Sequence, residues 1–256
     1  MANPPELRGM RILVVGASSG IGRAFGLRAS RAGARVAFAA RRLPELERAV
    51  VAAEGEALAV RCDVCDAQAC SDAVRATVDA FGGIDALLYA AGMSPLGMLE
   101  EATADEWRRV LDTNVMGASF VTAAALPALR ESRGRALYIS SYSVRQPLPG
   151  LGLYRVSKLA LDGLVECWRM EHPDVDFTRV VVGNTAGTGF ADHWDPQRLK
   201  QALKVWVARN LFPAATMMSL HDLADSLLAI LAAPGYLDDV AIMPRTRDPK
   251  ASAPRS

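Results

Sequence analysis

Short apolar runs alternate along the chain with longer segments whose apolar positions recur at helical spacing. Several of the runs are continuously apolar, as in a parallel sheet that is covered on both faces. The pattern predicts strands at Arg11–Val15, Arg35–Ala39, Ala57–Arg61, Ala86–Ala90, Ala136–Ile139, Phe177–Val182 and Val240–Met243.

The segments between these strands carry helix patterns and helix-end signals. Gly33 is placed to end the first helix, and Thr103 to Glu106 has the form of a capping box. We predict helices at Ile21–Ala32, Pro44–Glu54, Ala67–Phe81, from Thr103 towards Arg130, Tyr154–Met170 and Ser219–Leu231. The regular alternation of strands and helices predicts an α/β fold. It is a doubly wound, mostly parallel sheet of about seven strands flanked by helices, Rossmann-like.

Length and composition fit one compact domain over residues 1–256, with loose tails at 1–8 and 245–256. The chain is 51% hydrophobic and 22% charged, which is ordinary for a soluble protein. Its net charge of +1 gives no reason to expect nucleic acid or an anionic membrane as a partner. Neither a long apolar run nor a signal-peptide pattern is found, so a cytoplasmic protein is expected.

Four cysteines raise the question of a metal or redox site. Cys62 and Cys65 form a C-x-x-C pair, but all three histidines lie far away in sequence. A redox dithiol has no second signal. We therefore expect no metal, and interpret these cysteines as ordinary buried thiols at a strand end.

A glycine-rich turn connects the first strand to the first helix. Glycines there allow close backbone approach to a ligand, and a helix N-terminus offers free N–H groups to a pyrophosphate. The spacing is G-x-x-x-G-x-G, and a plain strand-to-helix turn is the alternative. The predicted contacts of a dinucleotide in this turn are Gly16, Ser18, Ser19, Gly20, Ile21 and Gly22.

The end of the second strand indicates which dinucleotide binds. NAD sites usually carry an acidic residue there for the ribose 2′-hydroxyl, but this chain has Ala39-Ala40 followed by Arg41 and Arg42. Guanidinium groups pair well with phosphate. We therefore predict NADP, with NAD less favoured; the alternative is that both arginines are solvated loop residues.

A tyrosine and a lysine four residues apart, Tyr154 and Lys158, supply candidate proton chemistry, with Ser141 thirteen residues upstream. Positions i and i+4 share a helix face, and a nearby ammonium lowers the pKa of a phenol. Such a tyrosine can act as an acid or base near neutral pH. Lysines are scarce, which reduces the chance of an accidental pair, although an exposed tyrosine with a solvated lysine remains the alternative.

Together these motifs resemble the short-chain dehydrogenase/reductase family, in its single-domain branch, from Arg11 to about Met243. The resemblance implies a catalytic tetrad of Asn114, Ser141, Tyr154 and Lys158. It further implies cofactor contacts from Asp63, Val64, Ala91, Gly92, Thr185 and Thr188, besides Tyr154 and Lys158.

The sequence departs from the family pattern at three places. Val15 replaces a common threonine, and Tyr89-Ala90 stands where two asparagines are usual. Gly183-Asn184-Thr185 replaces the usual Pro-Gly. None of these positions belongs to the tetrad, but the hydrogen bonds of the lost asparagines must be replaced or forgone.

The resemblance implies hydride transfer between NADP(H) and a small-molecule alcohol or carbonyl, with Tyr154 as general acid or base. It also implies a homodimer or homotetramer, formed through the helices that carry Asn114 and Tyr154. Apolar residues between Phe190 and Phe212, with Trp194 and Trp206, favour a lipophilic substrate. Alternatively, Trp206 lies on an amphipathic helix that packs on the core or on a partner.

Two other functions stay open. A non-catalytic NADP-binding sensor or scaffold fits the same fold, and the lost asparagines favour it slightly. An epimerase or dehydratase that recycles its cofactor fits the same chemistry. Such relatives are usually longer, with a separate substrate domain.

Overall fold

A computed structural model describes residues 7–209, 211 and 217–245 of the chain. Within them, seven strands form one sheet in the order β3-β2-β1-β4-β5-β6-β7, and every neighbouring pair is parallel. The strands are β1 Arg11–Val15, β2 Arg35–Ala40, β3 Ala57–Arg61, β4 Ala86–Tyr89, β5 Arg135–Ser141, β6 Asp176–Val182 and β7 Asp239–Ile242. The predicted doubly wound sheet is confirmed.

Eight α-helices flank the sheet in the described residues. They are α1 Gly20–Arg31, α2 Leu43–Ala52, α3 Ala67–Phe81, α4 Ala104–Leu111, α5 Gly117–Ser132, α6 Gly152–Glu171, α7 Pro196–Ala208 and α8 Leu220–Leu231. The long helix predicted from Thr103 towards Arg130 is present, but it is not α-helical throughout. A π-helical turn, Asp112–Met116, separates α4 from α5, and Asn114 lies within it.

Alternation along the strands divides the core between the two faces of the sheet. In β1, Ile12 and Val14 face the side where Phe25 of α1 packs, and Leu13 and Val15 face the other. All four are buried. The continuous apolar runs in the sequence are therefore strands covered on both faces, as expected for parallel pairing.

The segment from Phe190 to the end of α7 forms a third, smaller apolar cluster. Its buried members are Leu96, Leu151 and Trp206. The indole N–H of Trp206 donates to the Pro149 carbonyl at 2.8 Å. Helix α7 therefore covers the loops that follow β4 and β5, which is the alternative given above for Trp206.

The predicted loose tails, 1–8 and 245–256, lie mostly outside the described residues. Within them, Leu7 is buried, and its amide donates to the Ala32 carbonyl at 2.8 Å. Among the described helices, none is both long and apolar enough to cross a bilayer.

The helix α1 packs on β2 without space for a side chain at Gly26, because a Cβ there would collide with the Phe38 ring. We expect Gly26→Ala to lower the free energy of unfolding by about 1–3 kcal/mol, the usual cost of overpacking a core. Chemical denaturation measures this change. Gly163→Ala in α6 is the control, because no neighbouring atom lies within 4 Å of its added Cβ. It should gain up to about 1 kcal/mol from helix propensity; equal effects of the two variants would contradict the packing argument.

Candidate active site

The predicted site residues lie along the carboxyl edge of the sheet. Several of them follow or end a strand: the glycine turn after β1, Arg41 after β2, Asp63 after β3, Ala91 after β4 and Ser141 at the end of β5. In open parallel sheets, this edge is where ligands bind. The parallel register explains the convergence, because Val15 lies opposite Tyr89 and the two following loops therefore meet.

The glycine turn is pressed between two other loops. Gly16 has φ of +87°, and a Cβ there would lie 2.5 Å from the Ala91 nitrogen. Gly20 has φ of +55°, and its Cβ would lie 2.5 Å from the Thr188 carbonyl oxygen. A Cβ on Gly22 would lie 2.6 Å from the Gly16 carbonyl oxygen. Larger residues cannot occupy these positions without moving backbone, so the turn lies within van der Waals reach of the loops after β4 and β6.

A basic cleft of about 470 Å³ opens beside this turn. Its arginines are Arg41, Arg42, Arg48 and Arg61. Arg42 donates to the hydroxyls of Ser18 and Ser19, each at 3.0 Å. Among the described residues that line the cleft, the one acidic group is Glu45, which pairs with Arg48 at 3.1 Å.

Arg48 and Arg61 were not foreseen, although Arg61 follows from the register. Ala40 at the end of β2 lies opposite Arg61 at the end of β3. That pairing brings the guanidinium of Arg61 to the cleft that Arg41 lines.

The loop after β3 contains Asp63 and Val64. Asp63 Oδ1 accepts from the Cys65 amide at 3.1 Å, and Val64 is buried against Gly117. All four cysteines are free thiols; Cys62 and Cys70 are buried, whereas Cys65 and Cys167 are exposed. Among the described residues, no group of His, Cys, Asp and Glu could hold a metal ion.

Asn114 is fully buried and connects three segments. Its Oδ1 accepts from the Met93 amide at 2.8 Å, and its Nδ2 donates to the Met93 carbonyl at 2.9 Å. The same Nδ2 donates to Ser157 Oγ at 2.9 Å, and Ser157 Oγ donates to the Tyr154 carbonyl at 2.7 Å. The sequence did not predict Met93 or Ser157 as a partner of Asn114.

Tyr154 and Lys158 lie on the face of α6 that looks towards β5 and the loop after β4. The Lys158 Nζ donates to the Ile139 carbonyl at 2.7 Å and lies 5.8 Å from the centroid of the Tyr154 ring. A Cβ on Gly92 would be 3.6 Å from that Nζ. The nearby Ser141 hydroxyl lowers the pKa of the Tyr154 phenol. Asn114, Ser141, Tyr154 and Lys158 are thus brought together.

Burial changes the pKa values of both groups. It raises the pKa of Tyr154 to about 12, against the smaller lowering by Ser141, and it lowers the pKa of Lys158 to about 8. The predicted lowering of the tyrosine pKa by the lysine is therefore wrong for this arrangement. Desolvation is the largest effect on both groups, so the phenol is held protonated and the amine becomes easier to deprotonate.

A buried acidic residue, Asp162, lies one helical turn beyond Lys158 and attracts the ammonium, which raises the pKa of Lys158 against desolvation. Asp162 lies 3.4 Å from the Arg179 guanidinium. Burial raises the pKa of Asp162, opposed by Ser140 and Arg179. This counter-charge behind the lysine was also not predicted.

The loop after β6 closes over the tyrosine. Thr185 forms a β-bridge with Met218, and the Thr188 hydroxyl accepts from the Phe190 amide at 3.3 Å. The Phe190 ring lies 5.1 Å from the Tyr154 ring in an edge-to-face arrangement, and Trp194 lies 5.1 Å from Phe190. Phe212, at the end of the predicted substrate region, lies outside the described residues.

The Ser94 carbonyl fixes this loop to the one after β4. It accepts from the indole N–H of Trp194 at 2.6 Å, and His193 Nε2 lies 3.0 Å away. The indole N–H groups of Trp194 and Trp206 therefore both donate to backbone carbonyls, while their rings pack in the small apolar cluster of Leu96 and Leu151. Phe190 is the aromatic residue of this segment that contacts Tyr154.

Comparison with known proteins agrees with this geometry. The profile described as "short chain dehydrogenase" matches residues 10–199. The 11-beta-hydroxysteroid dehydrogenase A of Sesamum indicum is 36% identical over 184 residues, covering 70% of this chain and 53% of that protein. The chain thus spans about half the length of this relative.

Two further proteins extend the comparison. The human mitochondrial dehydrogenase/reductase SDR family member 2 is 31% identical over 209 residues, covering 74% of this chain and 75% of that protein. An alcohol dehydrogenase from Thermococcus sibiricus, solved with 5-hydroxy-NADP, superposes with a TM-score of 0.79 at 23% identity, covering 91% of this chain and 96% of that one. This last likeness concerns the fold.

The lowered pKa of Lys158 gives a stability prediction. The unfolded chain binds this proton up to pH 10.5 and the folded chain only up to about pH 8. The folded state therefore carries a penalty below pH 8 that is relieved as pH rises from 8 to 10.5. We expect Lys158→Met to raise the free energy of unfolding at pH 7 by about 1–3 kcal/mol. This gain should shrink as the pH rises from 8 to 10.5. Denaturant titrations at several pH values measure it.

The matched control is Lys200→Met at an exposed position of α7. Its effect should stay within about 0.5 kcal/mol at every pH. A Lys158→Met variant that is less stable than wild type at pH 7 would contradict the burial penalty.

Proposed function

The chain belongs to the short-chain dehydrogenase/reductase family of oxidoreductases, and from this premise we propose that it transfers hydride between NADP(H) and the carbon of an alcohol or carbonyl group. The observation that carries the proposal is the convergence of Ser141, Tyr154 and Lys158 on one buried face at the carboxyl edge of the sheet. A glycine turn built for close backbone approach lies at the same edge.

The residues present fit a dinucleotide with a 2′-phosphate. The turn from Gly16 to Gly22 would hold the pyrophosphate, aided by the hydroxyls of Ser18 and Ser19. Arg41 and Arg42 would hold the 2′-phosphate at the cleft beside Ala40, where an NAD site would need an acidic residue.

The remaining predicted contacts extend along the same edge. Asp63 and Val64 are proposed for the adenine end, and the loop from Ala91 to Gly92 for the middle of the cofactor. Thr185 and Thr188 are proposed for the nicotinamide end. The cofactor itself supplies or accepts the hydride when it is bound.

Tyr154 is proposed as the proton donor to the carbonyl oxygen during reduction. The phenol is protonated at neutral pH and therefore has a proton to give. Ser141 donates a hydrogen bond to the same oxygen as negative charge grows there. The lowered pKa of Lys158 lets its amine accept and release a proton near pH 8, so it replaces the tyrosine's proton after turnover.

The proposed role of Asn114 is to fix the loop after β4 against α6. Both hydrogen-bonding ends of its amide are used on Met93 and Ser157.

A lipophilic carbonyl or alcohol is the proposed substrate class. The support is the aromatic contact of Phe190 with Tyr154. A homodimer or homotetramer remains a proposal. It is supported by the exposed Leu159 and Val156 on α6, at 41% and 40% exposure.

The rival proposal is a non-catalytic NADP-binding sensor on the same fold. It needs the glycine turn and the basic cleft, but it has no use for a desolvated lysine whose burial costs stability. NADPH oxidation with a panel of carbonyl compounds separates the two.

Removing one hydroxyl tests the assigned acid. We expect Tyr154→Phe to lower kcat for NADPH-dependent carbonyl reduction by about 10²–10⁴-fold, the usual contribution of general acid catalysis. The Kd for NADPH, measured by fluorescence titration, should change less than about threefold. Tyr142→Phe in the turn after β5 is the control and should keep its activity. Activity of Tyr154→Phe within a few-fold of wild type would reject the mechanism.

The basic cleft gives a separate test of cofactor choice. We expect Arg42→Ala to raise KM for NADPH by about 10- to 100-fold, because a charge-assisted hydrogen bond contributes about 1.5–3 kcal/mol. KM for NADH should be unchanged. Arg108→Ala is the control, since Arg108 is exposed and pairs with Asp105. Wild type that prefers NADH would contradict the assignment.

A further inference from the structure

We propose that Tyr89 is a positioning residue that holds the π-helical turn around Asn114, in place of an asparagine that the family pattern has at this point. The inference rests on the proposed function. Tyr89 is the last residue of β4 and is completely buried, so its hydroxyl must find a partner inside the protein.

The partner is a backbone carbonyl of the π-helical turn. The Tyr89 hydroxyl donates to the Thr113 carbonyl at 2.6 Å. In this turn the Gly117 amide donates to Asp112, five residues back, whereas an α-helix would pair that amide with Thr113. The Tyr89 hydroxyl thus donates to the Thr113 carbonyl, which the Gly117 amide would bond in an α-helix.

The space for the phenol is created by Gly117. A Cβ at this position would lie 2.6 Å from the Tyr89 oxygen and 2.7 Å from Val64 Cβ. Any larger residue would therefore push the hydroxyl away from Thr113. The large residue at 89 and the absent side chain at 117 form a complementary pair.

The hydrogen bond closes a ring that contains the catalytic asparagine. From Tyr89 the ring crosses to Thr113 and Asn114, and the Asn114 side chain bonds both backbone groups of Met93. The chain from Met93 back to Tyr89 completes it. This short segment includes Gly92, which approaches Lys158, so the ring sets the loop that faces the lysine.

The chemistry of the tyrosine suits a permanent donor. Burial raises the pKa of Tyr89 well above its ordinary value, so the phenol stays neutral and keeps its proton. A donor that never ionises holds the turn at any pH at which the enzyme works. The hydrogen bonds of the missing asparagines are therefore replaced, at least in part, by one hydroxyl that enters from β4.

Tyr89→Phe tests this role, with Tyr138→Phe as the matched control. Tyr138 on β5 is equally buried, and its hydroxyl also makes a 2.6 Å hydrogen bond, but to Thr122 on α5 rather than to the turn. Each variant deletes one buried hydroxyl. We expect a similar loss of Tm in both, because each leaves a buried partner without its hydrogen bond.

Kinetics and hydrogen exchange separate positioning from stability. For Tyr89→Phe we expect kcat to fall about tenfold, KM for NADPH to stay within about twofold, and amide exchange across residues 112–117 to speed up. Tyr138→Phe should keep kcat and the exchange of that segment. Equal kcat and equal exchange in the two variants would overturn the inference, whatever their Tm.

The exchange measurement also keeps this inference distinct from the proposed reaction. If wild type reduces no carbonyl, the proposed function fails, and the exchange of residues 112–117 alone decides the role of Tyr89. If wild type is active and Tyr154→Phe is inactive, but Tyr89→Phe matches Tyr138→Phe, only the present inference fails.

Gly117→Ala provides a second route if Tyr89→Phe does not fold. It retains every hydrogen-bonding side chain and displaces the phenol by steric contact alone. A fall in kcat with faster exchange at residues 112–117 is expected. Gly163→Ala is the control. Wild-type kcat and exchange in Gly117→Ala would contradict the proposal.

Discussion

The geometry of the candidate site at the carboxyl edge of the sheet depends on the hydrogen bonds of the Asn114 side chain. Its three hydrogen bonds join the loop after β4 to helix α6, across a turn that departs from α-helical register. A buried amide has few rotamers that satisfy both its donor and its acceptor, so the backbone around it is tightly specified. Met93, Ser157 and, through Ser157, the first turn of the catalytic helix are held in consequence.

Much of the architecture was predictable because each element carries its own local signal. Apolar runs, glycine ends and a capping box located the strands and most helices, and alternation gave the parallel sheet. The π-helical turn at Asp112–Met116 was not predictable, since these residues carry no helix-breaking signal and the turn is fixed by distant contacts. The sequence offers helix α7 only as an alternative, because the same apolar residues also fit a pocket lining.

The site shows the same division between local and tertiary information. The glycine turn and the Tyr154–Lys158 spacing are local patterns and were found. Arg61 and Asp162 reach the site through sheet register and helix packing. The sign of the tyrosine's pKa shift was predicted wrongly because a sequence shows which charges are near but not how much water they lose. In this fold, the loss of water determines the direction for both Tyr154 and Lys158.

The strand order also affects how the chain folds while it is being translated. Strand β1 pairs with β2 on one edge, but its other edge must wait for β4, which begins roughly seventy residues later. At ordinary ribosomal rates, that wait is about 4–14 s. During it, a strand with four consecutive apolar residues presents open backbone groups, the kind of surface that promotes association between nascent chains. Strand β1 leads into the glycine turn and lies between β2 and β4 in the sheet. This central position therefore makes it the strand most in need of protection during translation.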